Sequence, residues 1–138
     1  MKLTSVRLLG AALALAMMFP AQAVARDRTV FTVYFEWDSS VLNASAFEVV
    51  KVAAPKAKAC EYNGLRIVGH ADTSRTEEES SALGMARARA VRDALVKLGM
   101  ADSAISVATH GELDLARPTR DGVREPLNRR AEIIVVCD

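Results

Sequence analysis

Hydrophobic and polar positions divide most of the chain into short apolar runs and longer periodic ones. Four runs rich in β-branched or aromatic residues are predicted to be strands, at residues 29–37, 65–69, 105–109 and 131–136. Two segments carry apolar residues at helical spacing, residues 45–60 and 76–98, and they lie between the first three strands. The charged, proline-containing segment 111–127 is predicted to be a loop.

This order of elements predicts an α/β fold of the α+β sandwich type. Its βαβαββ arrangement gives a mixed four-stranded sheet with both helices packed on one face. Strands joined by a crossover helix should run parallel, whereas the last strand, which no helix precedes, is free to run antiparallel. Pro55 is expected to kink the first helix or to restart it.

The second predicted helix has clear end signals. Thr76 and Glu79 form a Thr-x-x-Glu capping box at its start, and Gly99 is placed to end it. Three consecutive glutamates, Glu77 to Glu79, suit the positive end of the helix dipole. A pair of catalytic carboxylates for glycan cleavage is a weaker interpretation of the same residues.

An arginine lies on the face of this helix that should be buried. The stripe at helical pitch consists of Ser80, Leu83, Arg87, Val91, Ala94 and Leu98. A guanidinium without an acceptor in such a place would cost several kcal/mol. We therefore expect Arg87 to find a partner, which is either a group of the protein or a ligand.

The first 25 residues are interpreted as a secretory signal peptide. Lys2 and Arg7 precede an apolar core too short to span a bilayer, and small residues follow it. Cleavage after Ala23 or after Ala25 satisfies the pattern equally well. Residues 26–138 are then expected to form one domain that is exported and has no transmembrane segment.

Charge and cysteine content narrow the function. Without Lys2 and Arg7, 16 Lys and Arg remain against 17 Asp and Glu, a formal charge of −1. A nucleic-acid surface usually needs a basic excess, so this class of partner is disfavoured. Two cysteines, Cys60 and Cys137, favour a disulfide in an oxidising compartment, with two reduced buried thiols as the alternative.

Several motifs in a fixed order resemble the OmpA-like C-terminal domain, which also occurs in Pal and MotB proteins. They are the start of the domain at residues 34–42, the run GHAD ending at Asp72, Leu83, Arg87 with Ala88 and Val91, Leu98 with Gly99, and NRRAEI at residues 128–133. The fifteen-residue step from Asp72 to Arg87 makes this combination specific. The resemblance covers essentially all of residues 26–138.

The resemblance implies non-catalytic binding of peptidoglycan in the periplasm, in support of cell-envelope integrity. Asp72 is expected to accept the ammonium of meso-diaminopimelate in the wall's stem peptide, and Arg87 to hold its carboxylate. Four residues match positions near the family's ligand and are secondary candidates: Asp38, Ala71, Ser80 and Arg129. Ser80 replaces the Asn of many members, which predicts weaker binding of the same ligand.

The family fold also places the last strand between the first and the second, antiparallel to both. That order brings Cys137 near Cys60 and supports the disulfide. Family members commonly connect the wall to a β-barrel or a lipid, whereas residues 26–138 are expected to be the wall-binding part alone. The domain is then expected either to work alone in the periplasm or to dock on an outer-membrane protein partner.

Other interpretations remain open at this stage. Asp72 and Arg87 could form only an internal salt bridge. His70 and His110, each at the end of a predicted strand, could hold a metal with Asp72, but no third committed ligand is evident and no metal or cofactor is predicted. A serine hydrolase lacks its G-x-S-x-G elbow. The main alternative function is a structural subunit of an envelope complex in which wall binding is weakened or lost.

Overall fold

Four strands form one sheet in the order β1-β4-β2-β3. The computed structural model describes residues 26–60 and 64–137, so the predicted signal peptide lies outside the described residues. The elements in chain order are β1 (Asp27–Tyr34), α1 (Ala44–Ala59), β2 (Leu65–His70), α2 (Glu77–Lys97), β3 (Ile105–Gly111) and β4 (Arg130–Cys137), with short 3-10 turns at Asp102–Ala104 and Pro126–Asn128.

The last strand occupies the position expected from the family. Ile133 of β4 faces Phe31 of β1 on one side and Ile67 of β2 on the other, and both pairings are antiparallel. The strands β2 and β3, which α2 connects, pair in parallel. The prediction of a mixed four-stranded sheet is therefore confirmed.

Both helices cover one face of this sheet. Strand residues such as Val33, Ile67 and Ile133 form a single buried core with Val50 of α1 and Leu95 of α2. Alternate residues of the same strands face the other side, where Arg28, Arg66 and His110 border a shallow groove. The helices thus lie on one face, as predicted.

The first helix runs through its proline. Asn43 caps its start by accepting a 2.8 Å hydrogen bond from the amide of Ala46. Pro55 lies inside the continuous helix on its exposed side, so a restart at this residue is wrong. The structure accommodates the missing proline N–H because solvent can reach the carbonyl that it leaves free on the exposed face.

The second helix matches its end signals, whereas the first strand ends early. Thr76 and Glu79 form the predicted capping box, and Gly99 follows the helix with a φ of 94°. The first strand was predicted to reach residue 37 but ends at Tyr34. Beyond it a turn takes over, with the Ser39 amide donating to the Glu36 carbonyl at 3.3 Å.

Two glycines let α2 approach β2 closely. A Cβ placed on Gly69 would lie 1.7 Å from the carbonyl oxygen of Gly84, which is backbone and cannot move aside. Gly69 belongs to β2 and Gly84 to α2, one turn before Arg87. This contact fixes how deeply the arginine's turn of the helix sits over the end of β2.

A disulfide joins the end of α1 to the end of β4. Cys60 and Cys137 are bonded, with their Cα atoms 5.0 Å apart, a separation typical of disulfides. The predicted bridge is present in the structure. Within residues 26–60 and 64–137, none of the helices has the length and apolar character needed to span a membrane.

Candidate functional site

The predicted site residues meet where β2 ends. Three loops converge there: residues 36–40 after β1, residues 71–76 before α2, and the turn that precedes β4. The Ala71 amide donates to the Gly111 carbonyl at 2.8 Å, which fixes the chain just before Asp72. Arg87 reaches this region from the helix face above it.

Arg87 is fully buried, with 0% of the residue exposed. Its guanidinium donates to three backbone carbonyls: Nε to Ser39 at 2.9 Å, Nη1 to His70 at 2.8 Å and Nη2 to Glu36 at 3.1 Å. Of the two kinds of partner expected for Arg87, the structure provides groups of the protein. The backbone supplies three acceptors, and two of the five guanidinium N–H groups remain for another partner.

Carbonyls accept hydrogen bonds but carry no net charge, so the charge of Arg87 is only partly compensated. The pKa of Arg87 is lowered to about 10, mainly by burial and also by the charge of Arg129, while Asp72 and Asp38 oppose this shift. The group still carries its proton at neutral pH. Together, Arg87 and Arg129 surround the single carboxylate of Asp72 with an excess of positive charge.

Asp72 is also buried, with 4% of the residue exposed. Its Oδ1 accepts from the hydroxyl of Ser74 at 2.5 Å and from the Ser74 amide at 3.2 Å. Its Oδ2 has no hydrogen-bond partner on the described part of the chain, although Nη1 of Arg129 lies 3.6 Å away. The internal ion pair of Asp72 is therefore with Arg129, and Arg87 makes no ion pair with it.

Arg129 is held in place by Phe35, the first residue after β1. Its Nε donates to the Phe35 carbonyl at 3.1 Å, while the Phe35 amide donates to the Arg129 carbonyl at 2.9 Å. The preceding residue, Asn128, is fully buried and bonds both the amide and the carbonyl of Arg117 at 2.8 Å. The NRR motif thus orders the turn that carries Arg129 to Asp72.

Ser80 supports the site from below. It is fully buried, and its hydroxyl lies 3.0 Å from Oε2 of Glu112 and 3.4 Å from the Asp72 carbonyl. These contacts join the start of α2, the loop after β2 and the end of β3. Its partners are a side-chain carboxylate and a backbone oxygen, and not a histidine base.

Asp38 and Trp37 form the outer rim. Asp38, which adopts a φ of 52°, makes an ion pair with Arg75. The indole of Trp37 donates to the Ser74 hydroxyl at 3.1 Å, and the guanidinium of Arg124 lies 3.4 Å from the centre of its ring. Arg124 comes from the loop that was predicted to be charged and solvated.

The same loop is fastened to the residue after Asp72. The Thr73 hydroxyl lies 2.7 Å from the Arg120 carbonyl and 2.9 Å from the Thr119 hydroxyl, and the Gly122 amide donates to the Thr73 carbonyl at 2.6 Å. Segment 119–123 is therefore part of the site's wall, although it has no regular secondary structure.

Sequence reasoning missed Thr73, Ser74, Arg75 and Glu112. A signal existed for Ser74, because an Asp followed two residues later by a Ser is a common way for a carboxylate to bond its own loop. No comparable pattern marks Glu112, which meets Ser80 from a distant part of the chain.

The two histidines do not gather around Asp72. His70 is fully buried at the end of β2, and its ring lies 5.4 Å from that of His110, edge to face. The carboxylate close to both is Asp114, from the loop after β3. Burial and the charge of Arg130 lower the pKa of His70, while Glu132 and Asp114 oppose them.

Comparison with known proteins assigns the chain to a family. The family model described as the OmpA family matches residues 34–129, and the chain belongs to this family. It is 38% identical over 111 residues to the peptidoglycan-associated lipoprotein of Pseudomonas putida, covering 77% of this chain and 63% of that one. It is 34% identical over 111 residues to an outer membrane protein of Gluconacetobacter diazotrophicus, covering 76% and 29% respectively.

Solved structures agree on the fold. The peptidoglycan-associated lipoprotein from Burkholderia pseudomallei is 30% identical, with a TM-score of 0.68, covering 76% of this chain and 88% of that one. The C-terminal domain of Helicobacter pylori MotB shares the fold at a TM-score of 0.67 and 18% identity, covering 78% of this chain and 84% of that one. The chain spans less than two thirds of the length of the first curated relatives that it matches.

Proposed function

We propose that the domain is a non-catalytic peptidoglycan-binding module of the periplasm that contributes to cell-envelope integrity. Relatives named peptidoglycan-associated lipoproteins and outer membrane proteins support a role at the envelope. The ligand we propose is the meso-diaminopimelate of the stem peptide. An outer-membrane protein is the second proposed partner, since relatives of the chain are named for the outer membrane.

The observation that carries the proposal is the free oxygen of Asp72. Oδ2 is buried and has no hydrogen-bond partner on the described chain, which costs about 1 kcal/mol or more unless something occupies it. An ammonium group would supply both the missing donor and a countercharge. In this proposal, Asp72 receives the ammonium of the diamino acid.

The surrounding cations suit the other end of the ligand. Nη1 of Arg129 lies 3.6 Å from Oδ2 of Asp72, and Arg87 keeps two N–H groups beyond the three that donate to carbonyls. A carboxylate entering beside them would balance the positive excess left by Asp72 alone. Arg87 and Arg129 then share the carboxylate, while Ala71, Ser80 and Asp38 hold the loops that shape the site.

Binding to purified sacculi tests the proposal. Asp72→Asn keeps an acceptor for Ser74 but removes the negative charge, and Arg129→Gln removes the positive charge beside Asp72. Each variant should lower the affinity for sacculi, measured by co-sedimentation, roughly tenfold or more. Asp93→Asn, in the C-terminal half of α2, is the matched control and should bind normally. Free meso-diaminopimelate should compete for binding, whereas lysine, which lacks the second carboxylate, should not.

The other outcomes are equally clear. Binding that is unchanged in both site variants would reject the assigned residues. If the unaltered protein does not bind sacculi, the alternative of an envelope subunit without wall affinity is favoured. Two observations support that alternative: Arg87 is completely buried, and Ser80 is a short side chain. Release of soluble muropeptides from the sacculi would indicate an enzyme and overturn the non-catalytic assignment.

A further inference from the structure

A buried histidine nitrogen lacks a partner on the face of the sheet opposite the helices. His70 is fully buried, and its Nδ1 lies 3.1 Å from the Asp114 carbonyl. A backbone carbonyl can only accept, so Nδ1 carries the proton of the neutral ring and Nε2 presents a lone pair. Nε2 has no hydrogen-bond partner on the described part of the chain.

A carboxylate lies opposite this lone pair. Oε2 of Glu132 lies 4.0 Å from Nε2 of His70. A lone pair and a carboxylate repel each other unless a cation or a hydrogen-bond donor lies between them. Nε of Arg130 donates to the other oxygen of Glu132, Oε1, at 2.8 Å, so this donor is not directed at the gap between Oε2 and His70.

Two further ligand groups stand beside His70. Each of His70, His110 and Asp114 offers one atom, and these atoms lie within 4.8 Å of one another. Nδ1 of His110 lies 3.4 Å from Oδ2 of Asp114, close to the separation of about 3.3 Å between ligands of a tetrahedral Zn²⁺ with bonds of about 2 Å. His110 and Asp114 are exposed, so small rotations would bring both to the buried ring.

We propose that His70, His110 and Asp114 form a binding site for a divalent transition metal of the Zn²⁺ type, with the carboxylate of Glu132 beside it. Imidazole and carboxylate ligands together suit Zn²⁺ better than Ca²⁺ or Mg²⁺, which take mainly oxygen. The bond from Nδ1 to the Asp114 carbonyl is the kind of contact that orients a metal-ligating ring. The metal would tie the end of β3 and the loop after it to β2.

The cationic groove next to the site is the main physical objection. Arg28 and Arg66 border it together with His110, Asp114 and Glu132. Neither arginine makes an ion pair with Asp114 among the described residues, so its carboxylate stays available for a metal, whereas Glu132 is shared with Arg130. The positive charges of Arg28, Arg66 and Arg130 lower the affinity for a cation without removing the three ligands.

The chain offers an unusually clean readout, because it contains only two histidines and both belong to the site. We would titrate the oxidised, untagged protein with ZnCl₂ by calorimetry and follow both rings by ¹⁵N NMR. A single saturable Zn²⁺ per chain is expected, with the Nε2 resonance of His70 shifting on binding. His70 itself is followed by NMR and is not substituted, because replacing a buried residue risks unfolding the protein.

Variants at the exposed ligands decide the matter. His110→Ala and Asp114→Asn should each weaken Zn²⁺ binding by roughly tenfold or more, whereas Asp102→Asn, an exposed carboxylate elsewhere, should not. The proposal is overturned if the protein takes up no Zn²⁺, if both variants bind as well as the unaltered chain, or if the His70 resonances do not move. Neither of the substituted residues, His110 and Asp114, is assigned to the wall-binding site, so the two proposals fail independently.

Discussion

Asp72 is paired with Arg129 and not with Arg87. Oδ2 of Asp72 lies 3.6 Å from Nη1 of Arg129, whereas the three bonds of Arg87 go to the carbonyls of Glu36, Ser39 and His70. The two arginines therefore differ in role. Arg87 joins three backbone segments through its hydrogen bonds, whereas Arg129 provides the positive charge beside Asp72.

Arg87→Ala should destabilise the protein as well as impair binding. Removing the guanidinium takes a donor from three backbone carbonyls, of which only that of Glu36 keeps another described bond, from the Ser39 amide at 3.3 Å. We expect a loss of about 3 kcal/mol or more in the free energy of unfolding. Arg87→Lys keeps the charge but cannot reach three acceptors at once, so its loss should be intermediate. Urea unfolding measures both values.

The comparison with Arg129→Gln is the internal control for this prediction. Arg129 has a single carbonyl partner, 3.1 Å from its Nε, and a loose ion pair with Asp72, with 3.6 Å between Nη1 and Oδ2. That variant should therefore lose less than Arg87→Ala, about 1 to 2 kcal/mol. Equal stability losses in Arg87→Ala and Arg129→Gln would contradict the division of roles, and loss of sacculus binding in Arg87→Ala alone would not locate the ligand.

Hydrophobic periodicity and helix-end signals in the sequence predict most of the fold. The four strands, the two helices and the capping box at Thr76 all follow from local pattern, because each depends on residues close in sequence. The continuity of α1 through Pro55 does not follow from pattern, since one missing amide bond is offset by packing of Val50, Ala53 and Ala54 on the core.

The site was predicted less completely than the fold. The anomaly of a buried Arg87 was readable from its helix face, yet its acceptors are backbone carbonyls from segments up to 51 residues away. Every residue has such a carbonyl, so no side-chain pattern marks those that will be used. Glu112 escaped prediction for a different reason: its carboxylate meets the Ser80 hydroxyl across 32 residues of sequence, and no local pattern links the two.

Reduction of the disulfide should cost a large part of the protein's stability. The bridge between Cys60 and Cys137 closes a loop with a sequence separation of 77 residues, which corresponds to about 4 kcal/mol in the chain-entropy model. Denaturant unfolding with and without a reducing agent should show this difference. The double variant Cys60→Ser and Cys137→Ser should start near the reduced midpoint and should not respond to the reductant; a response would point to another effect of the reagent.

Gly69→Ala should destabilise the fold by about 3 kcal/mol or more, beyond the ordinary range of an added methyl group. The new Cβ would lie 1.7 Å from the Gly84 carbonyl, so α2 must move away from β2. Because Arg87 lies on the next turn of α2, its 2.8 Å bond to the His70 carbonyl should lengthen as well. Unfolding measurements give the first effect, and a crystal structure of the variant gives the second.

The control for this prediction is Arg66→Ala, an exposed position of the same strand. It should change the free energy of unfolding by less than about 0.5 kcal/mol. If Gly69→Ala were as mild as this control, the close approach of the helix to the strand would not be a requirement of the fold.

The capping box of α2 should make stability depend on pH. Hydrogen bonds from the backbone and the hydroxyl of Thr76 lower the pKa of Glu79 in the folded protein. The unfolded chain therefore binds the proton more readily, so this contribution is fully present above the ordinary pKa of a glutamate and is lost as the pH falls through the lowered value. Glu79→Gln should reduce the unfolding midpoint at neutral pH, and its deficit should disappear in acid.

Thr76→Ala should lose about 1 kcal/mol and weaken the same pH dependence. Glu78→Gln, in the same turn but outside the box, should behave like the unaltered protein, and an equal pH effect there would assign the dependence to the helix dipole alone.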